Sequence, residues 1–181
     1  MPGSDRSHSQ HSAIAVVAMI SSSRGLFEDA SERLAETLGP RVSMCEIFPF
    51  DFTDYYDEEM GKGLLRTYAI FECNAAEDEL RRLKRVAGSL EAEFLCPGTK
   101  NRRVNLDPGV LTADHLVLAS HKYAAHRIYM GDGVYAELEL IYRNGHFQPL
   151  PWTYPDYGTR IARDFFKAAR SSLLPERQTR S

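Results

Sequence analysis

Carboxylates, imidazoles, guanidiniums and aromatic rings concentrate between Asn101 and Tyr157. The segment Val134–Arg143 alternates in the manner of a strand. Val134, Ala136, Leu138 and Leu140 share one face, and Tyr135, Glu137 and Glu139 share the other. A Gly131-Asp132-Gly133 turn folds the preceding segment back alongside it. A two-residue turn sets His126 and Ile128 beside the glutamates, whereas a three-residue turn with a bulge sets Arg127 and Tyr129 there. A Glu–His pair could bind a divalent metal such as magnesium or share acid–base work. The other register gives an Arg–carboxylate pair instead, and the residues leave both registers open. Glu139 is read as a solvent-facing residue. Glu137, close to the Gly-rich turn and the aromatic residues, is open between the surface and a pocket.

Other groups extend the candidate site. Arg103, Asn105 and Asp107 alternate along one face of a fourth strand. Asp107-Pro108-Gly109 reads as a turn, with Pro setting the first corner and Gly the second. Asn105 and Asp107 then either hydrogen-bond that turn or serve a substrate or metal held at a rigid corner. Asp51 and Asp54 bracket a strand end in an acidic, aromatic run that reaches Glu59, with Arg66 as a partner for them. His121, Lys122, His126 and Arg127 offer a grip for an anion or phosphate. Trp152 and Tyr154, in L-P-W-T-Y-P-D-Y, form either a packed segment or a wall that stacks a base or sugar. The resulting assignment places Asp107, Glu137 and His126 as catalytic and Asp107 and Glu137 as metal ligands. Asp51, Asp54, Arg103, Asn105, Lys122, Arg127, Tyr135, Trp152 and Tyr154 are the ligand contacts.

Several chemistries lack their motifs. There is no G-x-x-x-x-G-K-S/T phosphate loop, and N-L-D is not the guanine-reading N-K-x-D. The acidic run lacks the spacing of an EF-hand loop. Ser120 has no G-x-S-x-G context, and His121 and His126 miss helical metal-pair spacing. The 181 residues carry a formal net charge of -3 and a pI of about 6.1, without a long basic block. That argues against DNA and membrane partners and leaves RNA as a weak option. Cys45, Cys73 and Cys96 form no C-x-x-C pair and read as free thiols of a cytoplasmic protein. Met1–Ser12 has no signal-peptide apolar stretch and reads as a tail, like residues 175–181.

The elements that must position these groups follow from periodicity. Ala13–Ile20 is a continuous apolar run that fits a central strand. Leu26, Ala30, Leu34 and Leu38 mark a helix ended by Gly39-Pro40. Val42–Phe50 and Leu64–Glu72 read as strands. Asn74 and Glu77 can cap a second helix whose buried face holds Leu80, Leu83, Ala87, Leu90 and Phe94. Arg102–Leu106 completes a β-α-β-β-α-β order. Thr112–Ser120 is read as a short helix, with a strand as the alternative. Arg127–Met130, Val134–Arg143 and a strand after Asn144-Gly145 form a meander, and Thr159–Leu173 a last helix. The expectation is a single α+β domain over residues 13–174. Its core is ferredoxin-like, βαββαβ with a mainly antiparallel sheet, extended by a C-terminal β-hairpin meander and a final helix.

The blocks P-F-D-F-T-D-Y-Y-D-E-E-M-G, R-V-N-L-D-P-G, H-R-I-Y-M-G-D-G-V-Y-A-E and P-W-T-Y-P-D-Y carry a resemblance. Across Ala13 to Leu173 the chain resembles the domain-of-unknown-function family numbered 4416, found in bacteria and archaea. The resemblance implies a small prokaryotic cytoplasmic protein and supplies no activity or catalytic residue. From the residues, the function is binding of an anionic small ligand, a nucleotide or phosphorylated metabolite. A divalent metal could assist, and any catalysis would be hydrolysis or phosphoryl transfer. The alternative is a non-catalytic protein- or RNA-interaction module that uses the aromatic surface Trp152–Tyr157.

Overall fold

The computed structural model describes residues 13–74 and 79–174. The tails, and Glu77 with the side chain of Asn74 that would make the capping box, lie outside the described residues. In chain order the elements are β1 (Ile14–Ser21), α1 (Arg24–Leu38), β2 (Arg41–Met44), β3 (Phe48–Pro49), α2 (Asp57–Met60), β4 (Leu65–Asn74) and α3 (Leu80–Glu91). They continue as β5 (Val104–Leu111), β6 (His115–Ser120), β7 (Ile128–Gly131), β8 (Val134–Arg143), β9 (His146–Pro149) and α4 (Arg160–Arg170). The fold is mixed α+β. Among the described residues, nine strands make one open sheet in the order β2-β4-β1-β5-β6-β8-β7, with β3 on β4 and β9 on β8. Every pairing is antiparallel.

The apolar run of β1 lies at the centre because both of its faces are covered. Val17 and Met19 pack with Phe27 and Leu34 of α1 and Leu83 of α3. Val16 and Ala18, pointing the other way, pack with Tyr68, Leu140, Phe147 and Phe166. Thus α1 and α3 cover one face of the sheet and α4 the other. Ile20, Phe50 and Leu64 form a third, smaller cluster with Tyr56 and Met60, which anchors the segment between β3 and β4.

Four expectations are corrected. Val42–Phe50 is not one strand but β2 and β3, because the chain leaves the ladder at Cys45–Ile47. Thr112–Ser120 is not a helix. The Thr112 hydroxyl accepts from the backbone N–H groups of Asp114 and His115, which closes a tight turn into β6. Asp107-Pro108-Gly109 is not a turn either, since all three residues lie inside β5. Finally, Val134, Ala136, Leu138 and Leu140 do not share one face. Between Leu116 and Val117 of β6 the partner on β8 jumps from Leu140 to Leu138, so Glu139 is an extra, bulged residue. Val134 and Ala136 face the α1–α3 core, whereas Leu140 beyond the bulge faces the α4 core. Glu139 is fully buried rather than solvent-facing.

Pro108 and Gly109 instead open the sheet. β5 pairs with β1 along its whole length, but with β6 only at Gly109–Leu111. The backbone N–H of Leu106 points away from β1 and donates to Glu91 Oε1 of α3 at 2.6 Å. Two residues on, the same edge carries Pro108, which has no N–H to offer β6. The ladder therefore stops at Gly109, and β5 and β6 diverge into a cleft. Gly109 sits at a close approach of the two strands. A Cβ there would meet Val117 O at 2.6 Å and Leu118 Cδ2 at 2.7 Å. Gly109→Ala is expected to lower the urea midpoint by an amount equivalent to about 1–3 kcal/mol, as overpacking does. An unchanged midpoint would contradict this account of the pairing boundary.

The outer edge of β8 is completed piecewise. β7 pairs with its first residues and β9 with its last. Between them the Trp152 indole N–H donates to Leu138 O and the Thr153 hydroxyl to Glu139 O. These side chains stand in for a strand and fix the segment Leu150–Tyr157 against the sheet.

Candidate functional site

A cavity of about 470 Å³ occupies the cleft between β5 and β6. Its volume is in the range of a small-molecule site. Four walls enclose it. β5 supplies Asn105 and Asp107, and β6 with its following loop supplies Leu118 to Lys122. The α3 wall is Lys84, Gly88 and Glu91, which the helical repeat places in line; a Cβ on Gly88 would meet nothing within 4 Å. The fourth wall combines Phe50, Phe52, Thr53, Tyr55 and Tyr56 with Arg66 and Tyr154 to Tyr157.

Arg66 is the buried cation of this cavity. It projects from β4 with its side chain 4% exposed, and its Nη2 lies 2.8 Å from Asp156 Oδ2. Tyr68 Oη donates to the same carboxylate oxygen at 3.0 Å. The guanidinium carbon sits 4.9 Å from the Phe50 ring centroid and 5.6 Å from those of Tyr68 and Tyr157. Burial is the largest single influence and works against the charge of Arg66, but Asp156, Tyr68, Tyr157 and Asp107 together hold the pKa above the ordinary arginine value. Arg66 Nε and Nη1 and the Tyr157 hydroxyl, all buried, have no hydrogen-bond partner among the described residues. Leaving buried donors unmade costs on the order of 1–3 kcal/mol each.

The other charges of the cleft are largely matched. Arg102 is bidentate to Glu59 of α2, with Nε to Oε1 and Nη2 to Oε2 both at 2.7 Å. Its Nη1 reaches Asn105 Oδ1 at 2.7 Å and Glu91 Oε1 at 3.2 Å. This clasp ties the segment that bears α2 to the open edge of β5. Asn105 Nδ2 donates to Asp107 Oδ2 at 2.6 Å, and Lys84 Nζ to Asp107 Oδ1 at 3.3 Å. Burial pushes the Asp107 carboxyl up, but Lys84, Arg66 and the Asn105 amide together hold it below the usual carboxylate range. Glu91, in contrast, is pushed up by burial. Lys122 has no acidic partner within 4 Å among the described residues. Its Nζ rests 3.7 Å from the centroid of the Tyr55 ring, across the mouth of the cavity.

Glu137 takes both of the partners that its sequence left open. His126 Nε2 lies 2.6 Å from Glu137 Oε1, and Arg127 Nη2 lies 2.9 Å from Oε2. The β7–β8 ladder begins only at Ile128, opposite Ala136. Residues 126 and 127 precede it in a turn and so escape strand alternation. Arg127 also donates to Ser120 Oγ, the Lys122 carbonyl and Tyr154 Oη. It braces the rim of the cleft from behind. His126 stacks on Trp152 with ring centroids 5.0 Å apart and planes 13° apart.

Of the residues expected at a site, Asn105, Asp107, Lys122, Glu137 and Tyr154 line the cavity. His126, Arg127 and Trp152 stand behind it as supports. Tyr135 packs with Tyr123 and Tyr129 outside it. Asp51 and Asp54 are exposed and do not line it. Arg103 also points elsewhere: it sits in a bend before β5, so the alternation of Asn105 and Asp107 does not reach it and Arg102 enters the cleft instead. Among the described residues, no group of three or more His, Cys, Asp or Glu side chains comes together to hold a metal ion. Asp107 is engaged by Lys84 and Glu137 by His126 and Arg127.

The residues that sequence reasoning missed are Lys84, Glu91, Arg102, Asp156 and Tyr157, and Arg66 was matched to the wrong acids. A signal for Arg66 existed, since it is a lone cation within the otherwise uncharged strand run L-L-R-T-Y-A-I-F. Lys84, Gly88 and Glu91 fall on one helical line beside the apolar stripe. Their role was hidden because helix periodicity cannot show that the facing sheet is split.

A family model described as a domain of unknown function (DUF4416) matches residues 11–173. No curated protein and no solved structure matches the chain. Among the described residues, no helix is long and apolar enough to cross a membrane.

Proposed function

The chain belongs to the DUF4416 family, and from its cleft we propose that this member binds a small anionic molecule, of the class of a nucleotide or phosphorylated metabolite. The observation that carries the reading is Arg66. A buried guanidinium with two nitrogens lacking protein acceptors, beside an unpaired buried tyrosine hydroxyl, is a set of donors in need of an acceptor. Lys122 adds a cation at the mouth that no acid among the described residues neutralises. The carboxylates of the cleft, by contrast, mostly face protein cations or amides; Glu137 Oε2 lacks a hydrogen bond but stands 2.9 Å from Arg127 Nη2, so the larger unfilled demand is for negative charge. The site is read as metal-free, because Asp107 and Glu137 already spend their oxygens on Lys84, Asn105, His126 and Arg127. The frame that presents it is read as a ferredoxin-like core, β1-α1-β2-β4-α3-β5, which the order β2-β4-β1-β5 supports.

The alternative, an interaction surface centred on Trp152–Tyr157, has less support. The Trp152 indole N–H, Thr153 and the Tyr154 hydroxyl are committed to Leu138, Glu139 and Arg127. The test is a thermal-shift panel of phosphate, pyrophosphate, nucleotides and sugar phosphates against uncharged analogues. At 100 times its dissociation constant a ligand should stabilise the protein by about 2.7 kcal/mol. Stabilisation by anions alone is the expected result. No shift with any anion, or equal shifts with nucleosides and free sugars, would overturn the proposal.

A further inference from the structure

We propose that the ligand of this cleft is a ring-bearing phosphate monoester. Its anionic group takes the unpartnered donors of Arg66, and its flat ring lies against Tyr55 at the mouth. The inference rests on the reading of the cleft as an anion site and adds the chemical class of what the anion carries. Its own observation is the contact between Tyr55 and Lys122. Tyr55 lines the cavity and is 60% exposed, so its ring is open to a ligand at the rim. The ring is not on a loose tip. It packs edge-on against Tyr56, centroids 5.0 Å apart, and Tyr56 belongs to the small Ile20–Phe50–Leu64 cluster. Three residues further on, Glu59 is clasped by Arg102. A rigid base thus presents an open aromatic face.

Lys122 lies over that face, with its ammonium 3.7 Å from the ring centroid. The backbone of Lys122 is fixed on both sides, its N–H donating to Ser120 Oγ and its carbonyl accepting from Arg127 Nη1. Only the flexible stem can therefore move. An exposed cation–π contact is a weak partner for an ammonium, whereas a phosphate oxygen forms a charge-assisted hydrogen bond with it. A phosphate entering the cleft draws Lys122 off Tyr55, and the vacated ring face takes a planar group of the same ligand. Stacking of this kind is tolerant of which ring is offered. A cavity of about 470 Å³ holds a single such ligand and not a polymer.

The test is calorimetric titration of the full chain with AMP, GMP, CMP and UMP, ribose 5-phosphate, and inorganic phosphate. In the unaltered protein the tightest nucleotide should bind roughly 10-fold or more tighter than ribose 5-phosphate, the advantage one stacked base gives. Tyr55→Leu keeps apolar bulk at an exposed position and removes the ring. It should erase that advantage while leaving the affinity for ribose 5-phosphate within about two-fold, a change worth less than ~0.5 kcal/mol. Equal affinities for ribose 5-phosphate and every nucleotide would overturn the ring assignment while the anion site stands. So would a nucleotide advantage that survives Tyr55→Leu. Binding of none of these phosphates would overturn the anion site itself.

Discussion

Arg66→Ala is expected to destabilise the protein by about 3–5 kcal/mol, the cost of removing one partner of a buried ion pair. The pair is buried on both sides, with side chains 4% and 3% exposed. Removing the cation leaves Asp156 in a site walled by Tyr68 and Tyr157, where among the described residues only the Tyr68 hydroxyl donates to it. It also empties the space between Phe50, Tyr68 and Tyr157. Urea unfolding followed by circular dichroism measures the loss. Two further variants separate its causes. Arg66→Lys retains the charge opposite Asp156 and should recover most of the stability, yet it cannot offer the second and third guanidinium nitrogens. Asp156→Asn in the Arg66→Ala background removes the orphaned charge and should regain more than 1 kcal/mol of the loss, the scale of coupling between contacting residues. A loss below about 1 kcal/mol for Arg66→Ala would show that the guanidinium is solvated, which would contradict its burial.

The second large effect concerns Glu139. Burial is the chief cause that lifts its carboxyl to about 8, and Glu137 and Asp156 add to it. The Tyr154 N–H, which donates to Oε1, and the more distant Arg127 only partly oppose the rise. Oε2 is buried without a partner. The folded-state value lies above the ordinary 4.5 of the unfolded chain, so folding favours the protonated acid. The stability it contributes is complete below the unfolded value and is lost as pH rises to about 8, at ~1.4 kcal/mol per pH unit. Above that the loss is constant. Glu139→Gln mimics the protonated acid and should remove this component. The variant should therefore gain on the parent steadily between pH 5 and 8, by a few kcal/mol in all. A stability difference that is flat across that interval would contradict a buried, neutral Glu139.

Much of the frame was legible because periodicity reports burial directly. The run Ala13–Ile20 announced a strand covered on both faces, and the stripes of α1 and α3 announced helices lying on a sheet. The misreadings share one cause: local signals with two structural solutions that only the tertiary neighbours separate. Pro-Gly after Asp107 satisfies a turn, but it equally satisfies a strand whose edge must come unpaired beside a close crossing. Thr112 can cap a helix or close a strand turn. Glu139 looked solvent-facing because alternation was carried through a bulge that the residues of β8 alone do not reveal. For the site, Asp107, Glu137 and Lys122 were visible as polar residues on a patterned face. Arg66 with Asp156, and Lys84 with Asp107, were not, since they come from elements far apart in sequence and meet only where β5 and β6 diverge.

The central claim is that Arg66 keeps free donors in the cleft for an anion. It is tested most directly by following the Arg66 Nε–H resonance by ¹⁵N NMR, assigned by its disappearance in Arg66→Lys, while AMP or inorganic phosphate is titrated into the full chain. A saturable downfield shift of that proton, with an apparent affinity matching calorimetry and absent for adenosine, is the predicted result. A ligand that binds and stabilises the protein while the Arg66 Nε–H signal stays unmoved would contradict it.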